Sequence, residues 1–217
     1  RLYGADAKSG RTVLDVRYDA LKGDDGRYAT GLGVHRAALF SVLHEAVAEE
    51  GIPIETGREV DGIEAGARPR LTFGDGRRSA AFDLIVDATG ARSLLRPWCR
   101  TPAEPRPLAY GAWWASLPWR EGFDAHALEQ RYRRASVMIG VLPIGRMAPG
   151  GGGMAAFYWS LKPNQAEDVK ARGLEAWKDQ VRDYWPAVTS HLDNIGGFEE
   201  LTLARYGHHT LTVAAGN

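Results

Sequence analysis

The 217-residue chain carries one cysteine, no excess of either charge and no long apolar run. With only Cys99, an internal disulfide framework is excluded and too few thiolates remain for a zinc site. A lone thiol fits a reducing compartment, so a cytoplasmic setting is expected. Lysine plus arginine equal aspartate plus glutamate at 27 each, and no block of like charge occurs, which removes the electrostatic argument for nucleic acid. Any charged ligand must therefore be held by local geometry. No apolar stretch approaches the roughly 18 residues of a membrane span, so no integral membrane segment is expected. The chain also lacks an initiating methionine, opening on Arg1-Leu2-Tyr3 and stopping at Val213-Ala-Ala-Gly-Asn217. It reads as an internal piece of a longer protein, so a missing targeting segment carries no information.

What is present suffices for a globular fold, since a chain of this size buries about 70% of its unfolded surface. Residues 1–30 alternate weakly and end in the turn-rich Lys22-Gly-Asp-Asp-Gly26, which predicts a β-hairpin. His35 to Glu50 carries Leu39, Leu43 and Val47 at helical spacing, with Phe40, Val42 and Ala46 beside them. Gly51 closes this helix and Pro53 lies just beyond. Strands are predicted at 52–56, Val60 to Ile63, Arg70 to Phe73 and Ala80 to Val86, with Gly74-Asp75-Gly76 as a turn. Leu84, Ile85 and Val86 read as a strand buried on both faces.

Composition shifts at Pro97, where Pro97, Pro102, Pro105 and Pro107 block regular structure. A domain boundary is expected there, dividing residues 1–96 from 97–217. Beyond it lie six of the seven tryptophans, Trp113, Trp114, Trp119, Trp159, Trp177 and Trp185. Strands are expected at Leu108 to Leu117, Ser136 to Pro143 and Met154 to Leu161, a helix at Gln165 to Tyr184, and a last strand at Leu201 to Val213. The fold class is α/β or mixed α+β, with a mixed sheet under a helical cover in the second part.

Two local patterns bear on chemistry. Asp83-Leu-Ile-Val-Asp87-Ala-Thr-Gly90-Ala-Arg92-Ser93-Leu-Leu-Arg96 runs an apolar strand into a small-residue turn followed by arginines, which suits an anionic cofactor and equally a plain strand-to-helix turn with solvated arginines. Gly31-Leu-Gly33-Val-His35-Arg36 places a cation in a helix's first turn, where it opposes the dipole by about 0.3–1 kcal/mol. An anion bound there would reverse that sign; an arginine extended into solvent is the alternative. The glycine run at 150–153 has no following Lys-Ser or Lys-Thr and reads as a hairpin tip. His208-His209 would point to opposite sides of a strand with no third ligand nearby, so no metal is expected.

Together, Val34-His35-Arg36-Ala-Ala-Leu39 and the 83–96 run, about 45 residues apart, resemble the central part of flavin-dependent aromatic hydroxylases. These are the para-hydroxybenzoate hydroxylase-like FAD monooxygenases, including the polyprenyl-methoxyphenol hydroxylase group. The resemblance implies that residues 1–96 are part of a Rossmann-like FAD-binding domain lacking its Gly-rich unit, and that 97–217 form the substrate-binding domain. It implies FAD contacts at Arg36, Asp87, Thr89, Gly90 and Arg92. The chain departs from the pattern at Thr89, where the family has aspartate; Ala-Thr-Gly also resembles flavin halogenases, epoxidases and reductases.

On this resemblance the parent is expected to hydroxylate an aromatic or similarly flat small molecule using NAD(P)H and O2. This piece alone is expected to be inactive. Of the aromatic set on the second-half strands, Trp113, Phe157 and Trp159 are candidates for substrate contact and equally for core packing, since alternate residues face opposite sides. Arg146, on a segment resembling the strand that approaches flavin and substrate, is a candidate for an acidic substrate. Tyr110, Tyr158 and His209 are candidates for a base or hydrogen-bond partner to a phenol. A halogenase, epoxidase or reductase on the same scaffold, or a ligand-binding module without turnover, remains the alternative. The oligomeric state is unspecified.

Overall fold

The computed structural model describes residues 1–20, 22–23, 26–27, 30–98 and 106–208. The chain forms two compact units, Arg1–Glu50 with Ala109–Arg205 and Gly51–Leu108 with Tyr206–Asn217. This partition differs from the boundary expected at Pro97, because the first strand is captured by the sheet of the second half through a long-range pairing that composition does not report.

In the first unit, β1 (Leu2–Asp6) and β2 (Thr12–Val16) form a hairpin within the expected residues, but its turn is at residues 7–10 and not at the turn-rich run from Lys22 to Gly26. They join β6 (Gly111–Pro118), β7 (Leu128–Arg133), β8 (Val137–Arg146), β9 (Gly153–Leu161) and β10 (Thr202–Ala204) in a seven-stranded sheet ordered β10-β6-β9-β8-β7-β1-β2. Among the described residues only β1 and β7 pair in parallel, Leu2 opposite Leu128 and Gly4 opposite Gln130. Strand β7 was not anticipated, because Leu128-Glu-Gln-Arg-Tyr-Arg133 is polar at four of its positions.

The pleat sends Trp113, Ala115, Ile139, Val141, Phe157 and Trp159 to one face, where helices cover them. The single helix expected over Gln165 to Tyr184 is two, α2 (Ala166–Ala171) and α3 (Leu174–Tyr184). Gly173, at φ +91°, separates them with a conformation that glycine adopts at little cost. Trp177 from α3 meets Trp113 and Trp159 at 5.9 Å between ring centres in edge-on geometry. A further short helix, α4 (Thr189–Leu192), adds Leu192 to this core.

The helix α1 (Arg36–Glu49) forms where expected and ends at Gly51, φ +66°. None of its side chains is buried, and Leu39, Phe40, Val42 and Leu43 are exposed. Its apolar positions set the helical period, but the described residues supply no layer against them.

In the second unit, β3 (Val60–Glu64) and β4 (Arg70–Phe73) make the expected hairpin, and β5 (Arg106–Pro107) pairs with β11 (Gly207–His208). Strands expected at 52–56 and Ala80 to Val86 are absent, with Leu84 and Val86 each 76% exposed. A buried strand needs ladder partners on both sides, and no described strand lies beside this run. No helix among the described residues is long and apolar enough to cross a membrane.

One buried titratable side chain has no polar partner among the described residues. His191 on α4 is fully buried edge-on to Phe123 at 4.9 Å, and neither ring nitrogen has a hydrogen-bond partner. Burial, with Arg120 nearby, pushes its pKa from 6.5 down to about 4. The unfolded chain therefore takes up this proton at higher pH than the folded one, so stability is complete above about pH 6.5 and falls as pH drops toward 4. Between pH 7 and pH 5 this side chain removes about 2 kcal/mol. Urea unfolding of His191→Phe should show that component of the pH dependence gone.

Candidate functional site

On the face of the sheet away from the helices, the first unit holds a cavity of about 910 Å3. Leu2, Leu128 and Leu142 supply its apolar floor, following from the pleat that buries Ile139 and Val141 on the opposite side. Tyr18, Trp119 and residues 30–33 add to the lining.

The segment leading into α1 is fastened to the end of β8. A Cβ built on Gly33 would collide with the Pro143 carbonyl oxygen, so only glycine permits this approach. The His35 amide donates to the Ile144 carbonyl at 2.8 Å. His35 Nδ1 accepts from the Ala37 amide at 3.2 Å and so caps the helix. Arg36 then opens α1, exposed, with no ion pair among the described residues and no acid in its first turn. With the Ala37 amide taken by His35, the remaining first-turn N–H groups and an unpaired guanidinium suit a phosphate.

The expected cofactor residues of the second unit form a self-contained turn. Ser93 and Thr89 hydroxyls donate to opposite oxygens of the Asp87 carboxylate, the latter at 2.6 Å, and the Thr89 amide donates at 3.0 Å. These hydrogen bonds, Ser93's first, hold the Asp87 carboxyl below its ordinary range, with Arg96 adding to the effect. Asp87 thus organises the turn. Gly90 sits at φ +84°, and Arg92 is exposed without an ion pair among the described residues. Arg36 belongs to the other unit.

None of Trp113, Arg146, Phe157 and Trp159 lines the 910 Å3 cavity. Trp113 and Phe157 are sealed in the core, because odd-numbered positions of β6 and β9 face the helices. Trp159, also in that core, borders a smaller cavity of about 620 Å3 together with Tyr110, whose ring lies 5.9 Å from Lys162 Nζ. Arg146 is exposed at the end of β8. Tyr158 faces the side of the sheet away from the helices but is buried and does not line the 910 Å3 cavity; its ring is tilted against Trp114 at 4.6 Å and lies over Gly140, where a Cβ would collide with it. Gln130 Nε2 donates to the Tyr158 hydroxyl, while Tyr132 donates to Gln130 Oε1 at 2.7 Å, and burial raises the Tyr132 pKa. His209 lies outside the described residues. Leu32 and Gly33 lie in the Gly31 to Arg36 pattern, and Leu142 in the Arg146 segment that resembles the strand approaching flavin and substrate, but none was itself a predicted site residue; Trp119 carried no local signal.

No protein-family model and no curated protein sequence matches the chain. Solved structures do. HpxO from Klebsiella pneumoniae, complexed with FAD and uric acid, superposes with TM-score 0.68 at 18% identity over 95% of this chain and 51% of its own. PqsL from P. aeruginosa in complex with 2-aminobenzoylacetate gives 0.71 at 15% identity over 97% and 56%. The tetrameric form of 2-methyl-3-hydroxypyridine-5-carboxylic acid oxygenase gives 0.70 at 16% identity over 95% and 51%. The chain spans about half the length of these structures and shares their mixed α/β fold over nearly all of its own.

Replacing Asp87 with alanine should accelerate hydrogen exchange at the Thr89 and Leu95 amides by about tenfold, the size of one lost hydrogen bond. The Leu95 amide donates to Ser93 Oγ at 3.0 Å and so reports the turn indirectly. Because the Asp87 pKa is lowered on folding, this protection is present above its ordinary pKa and fades as pH falls through the lowered one.

Proposed function

We propose that the chain is the central part of an FAD-dependent monooxygenase that hydroxylates a flat aromatic small molecule with NAD(P)H and O2. The observation that carries this reading is the 910 Å3 cavity with an apolar floor beside a helix start that offers an unpaired arginine. Its support from outside is a fold shared with a structure holding FAD and uric acid and with one holding 2-aminobenzoylacetate. Both of those ligands present a flat ring.

The residues present fit FAD. Arg36 and the first-turn amides of α1 not taken by the His35 cap would hold a phosphate, and the Thr89-Gly90 turn with Arg92 offers its own approach for an anion. In this reading residues 1–96 contribute to the FAD domain and the sheet of the second half carries substrate. Bound FAD, reduced by NAD(P)H, would supply the oxygen-transferring chemistry. The chain's own part is placement and dryness: Leu2, Leu128 and Leu142 exclude water from the ring, and the fastened 31–35 segment fixes where Arg36 stands.

Thr89, in the place where the hydroxylases carry aspartate, favours a second reading as a halogenase, epoxidase or reductase on this scaffold. Its hydroxyl is committed to Asp87. A halide requirement for product would select halogenation, whereas faster NAD(P)H oxidation on adding a phenol would select hydroxylation.

In the full-length protein, Arg36→Ala should weaken FAD binding by more than about 1 kcal/mol, as loss of a charge-assisted contact implies, with Arg36→Lys intermediate. Fluorescence titration of FAD measures this, and an unchanged affinity for the alanine variant would overturn the assignment.

A further inference from the structure

The geometry points to Leu32 as the specificity-determining residue of the larger cavity, packing on the face of an uncharged flat aromatic substrate ring. This inference rests on the proposed monooxygenase reading for the word substrate. Its geometry comes from the cavity alone.

Leu32 lines the cavity and is 85% exposed. A single exposed leucine is ordinary on a protein surface. This one differs because the backbone on both sides of it is committed. At Gly31 a Cβ would lie 3.2 Å from the Tyr18 ring, and at Gly33 it would collide with the Pro143 carbonyl oxygen. Two residues on, the His35 amide is bound to Ile144. The two glycines let the chain lie close against its neighbours, and the leucine between them is the side chain left without a counterpart. The floor of the same cavity is leucine as well, at positions 2, 128 and 142. A flat ring is the ligand shape that gains from apolar contact of this kind.

The charges in the cavity set the chemical class. Its two arginines are already paired. Arg1 donates to both oxygens of Asp15 at 2.8 and 2.7 Å, and Arg17 lies 4.0 Å from Asp19. Arg146, the residue expected to receive an acidic substrate, does not line the cavity. A carboxylate placed here would lose water without gaining an unpaired guanidinium, which costs more than leaving it in solvent. The ring that fits is therefore neutral, a phenol or an alkylated or fused analogue, in preference to an aromatic acid.

The test uses the full-length protein, loaded with FAD, titrated calorimetrically with 2-naphthol and with 2-naphthoate. In the unaltered protein 2-naphthol should bind at least about tenfold more tightly than 2-naphthoate. Leu32→Ala should weaken 2-naphthol binding by about tenfold, as loss of one buried leucine contact implies. Leu32→Met should stay within about twofold, and FAD affinity should be unchanged in both. The proposal is overturned if 2-naphthol fails to bind, if Leu32→Ala leaves its affinity unchanged, if the carboxylate binds as tightly, or if the variant weakens FAD instead. Failure of the broader reading looks different. The protein would then bind no FAD, while 2-naphthol affinity would still respond to Leu32.

Discussion

Strand pleating in β6, β8 and β9 is the constraint on which the rest of this molecule depends. Alternate residues cannot share a side, so burying Trp113, Ile139, Phe157 and Trp159 under α3 obliges Trp114, Gly140 and Tyr158 to face the other way. The helical face is closed by interlocking indole rings. The opposite face keeps small or polar residues where rings must lie flat, with Gly140 under Tyr158 and Gly4 under Tyr132. One choice of register therefore decides both where the core is and where a ligand can enter.

The same strand β8 links the sheet to the helix start. Its carbonyls at Pro143 and Ile144 receive the segment that carries Gly33 and His35, and that segment delivers Arg36 to the first turn of α1. An unpaired cation at that end of a helix is unfavourable by itself. It stands at a fastened position beside a cavity, and its proposed role toward a phosphate rests on that placement. The turn of the second unit follows a different economy, spending the Asp87 carboxylate on its own backbone and hydroxyls.

Much of the element pattern was legible in the residues. The β3–β4 hairpin, the helix Arg36–Glu49 and the strands around Trp113, Ile139 and Phe157 follow from periodicity and turn chemistry. The opposed facing of Trp113 and Trp114, and of Tyr158 against Phe157 and Trp159, follows from alternation alone. Legibility failed where an element depends on a distant partner. Strand β7 is polar in sequence yet internal to the sheet, because β1 supplies one ladder from far along the chain while β8 supplies the other across a short turn. The run Leu84-Ile-Val86 has the composition of a buried strand and remains exposed, because composition cannot provide the neighbours that a strand requires. Gly173 divides a helix whose apolar spacing reads as continuous, since a single φ angle outweighs the period on either side.

For the site, the sequence by itself determined the chemistry on offer: an arginine opening a helix, a small-residue turn after an apolar run, and aromatic residues in alternation. Those are local properties, set by neighbours within a turn or a pleat. Only the tertiary structure decided which of them meet. It put Trp113 and Phe157 into the core, left Arg146 outside the cavity, and assembled that cavity's lining from Leu2, Leu32, Leu128 and Leu142. The reason is that a cavity is bounded by residues distant in sequence, and their meeting is set by strand order and register, which no local pattern encodes.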